Sequence, residues 1–222
     1  MKNRVIWIGG GLIVAATVAY SLWILPQLPA TITTHWGLDG KPDGWSSRES
    51  GVWFGVGAQI VFLLLMGLLP VISPKRARIE SFEGAWNTVA LAVLGFLAFM
   101  QYLITRAALG PLDMVRTLMF GMMILFLIMG NVLGKAKRNY FMGVRTPWTL
   151  ESDEVWHSTH RLAGKLMVGG AIIGLILLAF GLDPMWTLGI VLISALYPVL
   201  HSYLLYKKLY PNGKPSAEEL TS

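Results

Sequence analysis

Six long apolar runs occupy most of this 222-residue chain. A helix crosses the hydrocarbon core of a bilayer with roughly 20 predominantly apolar residues, and only helices or closed barrels satisfy their backbone polar groups in lipid. The composition agrees with membrane insertion, since 55% of the residues are hydrophobic and only 14% are charged. We therefore predict an all-α, polytopic membrane protein with six transmembrane helices. The predicted spans are residues 5–25, 52–73, 86–105, 115–134, 162–182 and 185–206.

The basic residues are divided unequally between the two sides of the predicted membrane. If the spans alternate, fourteen of the 18 Lys and Arg residues fall on one side, and the remaining four are Lys41, Arg48, Arg106 and Arg116. Short cytoplasmic loops carry an excess of Lys and Arg, so both termini are predicted to be cytoplasmic. The net charge of +6 then reflects topology, and no direct binding of nucleic acid is expected. The fourteen residues are Lys2, Arg4, Lys75, Arg76, Arg78, Lys135, Lys137, Arg138, Arg145, Arg161, Lys165, Lys207, Lys208 and Lys214.

The predicted organisation is a single membrane domain over residues 1–222. Residues 1–74 contain two spans joined by an outer loop at 26–50, and residues 75–222 contain four spans with a polar inner loop at 135–161. The chain has no cysteine, so disulfides and cysteine-based zinc sites are excluded.

The outer loop combines turn-forming residues with two tryptophans. Residues 31–36 are predicted to be extended, and the glycines, aspartates and proline that follow favour turns. The tryptophans either anchor the loop at the lipid headgroups or form a recognition surface, and one histidine with two aspartates is a weak metal pattern. The candidate binding residues are His35, Trp36, Asp39, Asp43 and Trp45.

The inner loop cannot be helical throughout. Pro147 favours an extended residue before it, and either Thr149 or Ser152 can cap a new helix that continues into the fifth span. We expect Arg145 to bind Glu151 or Glu154 with its planar guanidinium, and Asn131 to satisfy further polar groups of the loop. The candidate residues of this motif are Asn131, Asn139, Arg145, Thr146, Pro147, Trp148, Glu151, Trp156 and His160.

Catalysis and ion-coupled transport find little support in the residues. Glu154-x-x-His157 is half of a carboxylate-bridged di-iron pattern, and the chain has no second copy. The middles of the predicted spans contain no Asp or Glu, which proton- or ion-coupled carriers often use. We predict no catalytic residue, metal or cofactor, and retain two alternatives: a transporter of small molecules or lipids, and a membrane enzyme using the inner loop.

Two segments resemble a known family. GNVLGKAKRNYFMGVRTPWTLESDEVWHSTHRLAGKL at 130–166 is similar to the signature of the SdpI family of bacterial membrane proteins, and LPATITTHWGLDGKPDGW at 28–45 is similar to the outer-loop pattern that often precedes it. The sequence departs from the family at Thr33 and Gly134, where proline is common.

The resemblance implies an immunity and signalling protein in the plasma membrane of a bacterium. Such a protein binds a secreted toxin peptide outside the lipid bilayer and, in one kind, captures a cytoplasmic autorepressor.

Overall fold

The computed structural model describes residues 4–72, 79–211 and 213. Over these residues, six helices are long and apolar enough to cross a membrane, which confirms the prediction of an all-α, multi-pass membrane protein. The spans are Ile6–Gln27, Arg48–Ile72, Ile79–Leu109, Met114–Leu133, Asp153–Ala179 and Met185–Leu209. Five of the basic residues that predict the topology lie outside the described residues, namely Lys2, Lys75, Arg76, Arg78 and Lys214.

The regular helices and strands follow the chain in a simple order. They are α1 (Gly11–Ile24), β1 (Thr31–Trp36), β2 (Pro42–Ser47), α2 (Arg48–Ile72), α3 (Glu83–Leu109), α4 (Met114–Leu133), α5 (Pro147–Glu151), α6 (Asp153–Ala179) and α7 (Met185–Leu209). A π-helical turn precedes α1, and short 3₁₀ turns follow α1 and precede α3. The third and fifth spans, which contain α3 and α6, begin several residues before the predicted apolar runs, because helix propagation does not stop at the edge of the hydrocarbon layer.

The loop between the first two spans is a β-hairpin. The predicted extended segment is confirmed as β1, but its antiparallel partner β2 was not predicted, since residues 42–47 contain proline, aspartate and glycine, which are depleted in strands. Ile32 is 1% exposed and packs with Ile24, Leu28 and Val52. The hairpin therefore sits on the ends of α1 and α2, and we call this side of the bundle the hairpin end.

Helices α4 and α6 approach each other closely. A Cβ added at Gly130 would lie 2.8 Å from the carbonyl oxygen of Gly164, and one added at Gly164 would lie 2.7 Å from that of Gly130. Two glycines therefore let the helix backbones touch, as in other membrane helix pairs with small residues at the crossing. At the hairpin end, Arg116 donates to the carbonyls of Leu178 and Leu182 at 3.0 and 3.1 Å.

Helices α1 to α3 form a second packed group that contains polar side chains. The Gln101 amide donates to the Val52 carbonyl at 3.3 Å, and the hydroxyls of Tyr20 and Thr105 lie 2.8 Å apart. Trp86 is buried and donates from its indole to a backbone carbonyl of α2 at 3.1 Å. These contacts give partners to some of the buried polar groups and join helices distant in sequence, whereas the side-chain oxygen of Gln101 has no hydrogen-bond partner among the described residues.

Candidate functional site

The hairpin presents polar side chains at its surface. His35 Nδ1 lies 2.5 Å from Asp43 Oδ1, and both side chains are more than half exposed. Asp39 accepts a hydrogen bond from the Lys41 amide at 3.1 Å and also pairs with the Lys41 ammonium at 3.4 Å. Gly40 has a φ of +75°, which completes this turn. The hairpin tip is thus a defined turn with one exposed ion pair, Asp39–Lys41, and one exposed hydrogen bond, His35–Asp43.

The tryptophans of the hairpin occupy different environments. Trp45 is 60% exposed and pairs across the sheet with Thr33, whereas Trp36 is half-buried and pairs with Pro42. Leu38, at the tip, is 74% exposed. Thr33, one of the two positions at which the sequence departs from the resembled family, lies in a paired strand. The hairpin combines exposed apolar area with charge.

Residues 134–152, which we call the motif loop, lie at the opposite end of the bundle. Asn139 organises the start of this loop from a buried position, since it is only 1% exposed. Its side-chain oxygen accepts from the amides of Phe141 and Met142 at 2.8 Å, and its nitrogen donates to the Lys137 carbonyl at 2.8 Å. One buried side chain therefore supplies the hydrogen bonds that this irregular backbone cannot make to itself.

Trp156 and His160 tie the motif loop to α6. Both are fully buried, and their rings stack at 4.0 Å. The Trp156 indole donates to the Ala136 carbonyl at 2.7 Å. The Val144 amide donates to His160 Nε2 at 3.0 Å, and His160 Nδ1 donates to the Trp156 carbonyl at 2.8 Å. An acceptor at Nε2 and a donor at Nδ1 define a neutral imidazole in one tautomer.

Gly143 is required where the loop passes over His160. Its φ is +103°, and a Cβ added there would overlap with the imidazole Nε2. Both the backbone conformation and the space therefore exclude a side chain at this position.

The short helix α5 attaches the middle of the motif loop to α7. Thr146 caps α5 in a capping box with Thr149, and Pro147 occupies the first turn. The hydroxyls of Thr146 and Ser202 lie 3.1 Å apart, while Trp148 packs against Tyr203 with ring centroids 5.0 Å apart. Ser152, one of two predicted caps, is the residue that caps α6.

Two expected contacts of the motif loop are wrong. Arg145 donates to the Tyr140 carbonyl at 2.7 Å, and the described ion pairs do not join it to an acid. Asn131 donates within α4 to the Leu127 carbonyl at 2.8 Å, and the hydrogen bonds of the described residues do not join it to the loop. In both cases the side chain donates to a backbone carbonyl four or five residues earlier in the chain.

An arginine that sequence reasoning missed makes an ion pair of the kind expected of Arg145, but with a different acid. Arg138 pairs with Asp153 at 2.8 Å and donates to the Leu150 carbonyl at 2.9 Å. Glu151 accepts instead from the Tyr206 hydroxyl at 2.7 Å. The signal available in the sequence was the position of Arg138 next to Asn139, where the loop turns back.

The described residues include no group of three His, Asp or Glu side chains that could hold a metal ion. The predicted site residues instead form two separate sets. His35, Trp36, Asp39, Asp43 and Trp45 lie together on the hairpin, and the motif residues from Asn139 to His160 lie together at the other end.

The fold and the two loops define a multi-pass membrane protein with a β-hairpin at one end and a hydrogen-bonded loop at the other. Residues 135–202 match the SdpI/YfhL protein family, and residues 12–60 match a domain of unknown function, DUF1648. The resemblance predicted from the two sequence segments is thus confirmed.

The chain is similar over most of its length to a curated protein. The immunity protein SdpI of Bacillus subtilis (strain 168) is 28% identical over 211 residues, which are 94% of this chain and 98% of that protein. No solved structure matches the chain.

Proposed function

We propose that this protein is an immunity protein of the bacterial cell membrane, which binds a secreted toxin peptide through its hairpin. The observation that carries the proposal is the similarity to an immunity protein over 94% of the chain, because it includes both the hairpin and the motif loop. The charge distribution supports an orientation with the hairpin outside and the motif loop in the cytoplasm.

The hairpin suits an amphipathic peptide. Trp45 and Leu38 offer exposed apolar area, and covering the exposed part of one tryptophan contributes on the order of 2–4 kcal/mol. The His35–Asp43 pair stays in water beside them and can complement a charge on the peptide. The buried Ile32 fixes this surface on the bundle before a partner binds, which lowers the entropic cost of binding.

We infer that the motif loop acts through binding and not through catalysis. Trp156 and His160, which tie the loop to α6, are buried and engaged in hydrogen bonds to backbone groups. Arg145 and Tyr140 are exposed on the loop, with Tyr140 57% exposed. They form a surface that a cytoplasmic autorepressor can contact when the toxin is bound.

Protection of toxin-sensitive cells tests the toxin-binding role. We expect Trp36→Ala combined with Trp45→Ala to abolish protection against the cognate toxin at unchanged membrane levels. Trp186→Ala is the control, because Trp186 is 67% exposed at the same end of the bundle but lies outside the hairpin. If the double variant protects cells as well as the Trp186→Ala control does, the hairpin tryptophans only anchor the protein in the membrane.

The two alternative classes predict different results with the purified protein. A transporter would drive solute or lipid flux in proteoliposomes, and a membrane enzyme would show turnover that His160→Ala removes. Either result without any toxin protection would replace the immunity role.

A further inference from the structure

Two clefts flank α6 at the motif end, and Arg161 and Lys165 line both of them. One cleft, of about 470 Å³, lies between α6 and α7 and is also lined by Glu154 and His201. The other, of about 490 Å³, lies between α4 and α6 and is also lined by Asn131 and four glycines. The two cations are therefore placed between cavities large enough for a small headgroup.

Among the described residues, Arg161 and Lys165 are not paired with a carboxylate. The ion pairs formed within residues 4–72, 79–211 and 213 do not include either side chain, and both are exposed. Lys165 lies twelve residues after the start of α6, or about 18 Å along the helix axis. This position is inside the apolar run 162–182, where an ammonium needs an anion or must extend toward the headgroups.

The α4–α6 cleft favours an anion more than the α6–α7 cleft does. Glu154 lines the α6–α7 cleft and repels a negative group there, whereas the residues lining the α4–α6 cleft include no acid. Asn131 uses one amide hydrogen on the carbonyl of its own helix, and its second can donate to a ligand oxygen. A Cβ added at Gly169 would meet no atom within 4 Å, so this wall of the cleft is open.

We propose that the α4–α6 cleft binds the phosphodiester of an anionic phospholipid. Arg161 and Lys165, one helical turn apart, donate to the phosphate oxygens, and the planar guanidinium can do so with two parallel hydrogen bonds. The acyl chains then extend along Val168 and Gly169 toward the membrane interior. Basic pockets between transmembrane helices are a common arrangement for such headgroups.

Native mass spectrometry of the purified full-length protein tests the charge requirement. The protein is titrated with phosphatidylglycerol, with phosphatidylcholine and with inorganic phosphate. We expect phosphatidylglycerol to bind most tightly. Arg161→Gln with Lys165→Gln should weaken binding about 25-fold, since each cation near a membrane surface contributes about fivefold.

The control for charge is Lys207→Gln with Lys208→Gln, which removes the same charge from exposed residues at the end of α7. We expect less than about a twofold change. Equal losses in the two double variants would overturn the site, because net charge alone would explain binding. Displacement of phosphatidylglycerol by millimolar inorganic phosphate would show that the cleft takes free phosphate, and would overturn the lipid as its occupant.

A steric variant tests the location without changing charge. Gly169→Leu should fill the α4–α6 cleft and reduce phosphatidylglycerol binding at least about tenfold at an unchanged melting temperature without lipid. Gly189→Leu is its match, because a Cβ at Gly189 also meets no atom within 4 Å and the residue lies on α7. Unchanged binding by Gly169→Leu, or a gain in binding on Glu154→Gln, would place the lipid in the other cleft and refute this assignment.

Discussion

Replacement of Gly143 by alanine should release the motif loop from α6. A φ of +103° costs a residue with a Cβ about 1–2 kcal/mol, and overlap with the His160 ring adds about 1–3 kcal/mol. If the loop moves to relieve the overlap, the Val144 amide loses its acceptor on the ring, which costs about 1–3 kcal/mol. The loop either keeps the overlap or moves and loses the hydrogen bond, so the total cost is about 2–5 kcal/mol, concentrated in the loop.

Gly181→Ala is the matched control. Gly181 has a φ of +76° just beyond the end of α6, but a Cβ there meets no atom within 4 Å, so only the backbone cost of about 1–2 kcal/mol applies. Trypsin cleavage after Arg145, followed in detergent by mass spectrometry, reports opening of the loop. The two variants differ by the overlap or the lost hydrogen bond, about 1–3 kcal/mol, so we expect cleavage at least about fivefold faster in Gly143→Ala than in Gly181→Ala.

A double variant separates the overlap from the backbone cost. In a His160→Ala background the ring is absent, so Gly143→Ala should cost only about 1–2 kcal/mol more, and the two substitutions should be less than additive. The reasoning is refuted if Gly143→Ala is as mild as Gly181→Ala, or if its effect is unchanged when the ring is removed.

Three further predictions concern topology and the loop contacts. A reporter fused after Ser222 should be cytoplasmic and one inserted near Lys41 external; finding both on one side would refute the orientation. Arg138→Lys should speed trypsin cleavage within the loop more than Arg145→Lys, since Arg138 bonds both a carboxylate and a carbonyl; the reverse order would contradict the contacts. Trp156→Phe should lower thermal stability in detergent by about 1–3 kcal/mol, because a buried backbone carbonyl loses its donor; an unchanged melting temperature would argue against that bond.

The spans were predictable because the constraint behind them is strong. A bilayer requires a minimum length of apolar helix, and the chain offers six such lengths. The hairpin was only half predictable. β1 contains β-branched residues and an aromatic residue, which favour a strand. β2 lacks this composition; it pairs with β1, whose Ile32 is buried against the bundle, and α2 starts directly after it.

The motif loop shows where sequence reasoning fails. The residue types were sufficient to predict a break at Pro147 and a cap at either Thr149 or Ser152, since both features act through neighbours in sequence; Ser152 is the one that caps α6. The partner of an arginine depends on the path of the chain, which Asn139 fixes from a buried position. Residues 56 and 55 positions apart, such as Ser202 with Thr146 and Tyr206 with Glu151, come together only through helix packing.

The links between α4 and α6 have a mechanical consequence. Arg116 joins the helices at the hairpin end, the Gly130–Gly164 contact joins them near the motif end, and the Trp156 indole continues the attachment beyond α4. Because α4 and α6 are held together at several levels, we expect them to tilt as one rigid body. Because 27 helical residues span about 40 Å, a tilt of about 5° displaces the far end by about 3.5 Å, enough to break a hydrogen bond. Force applied at one surface of the membrane can thus reach the other without any helix unfolding.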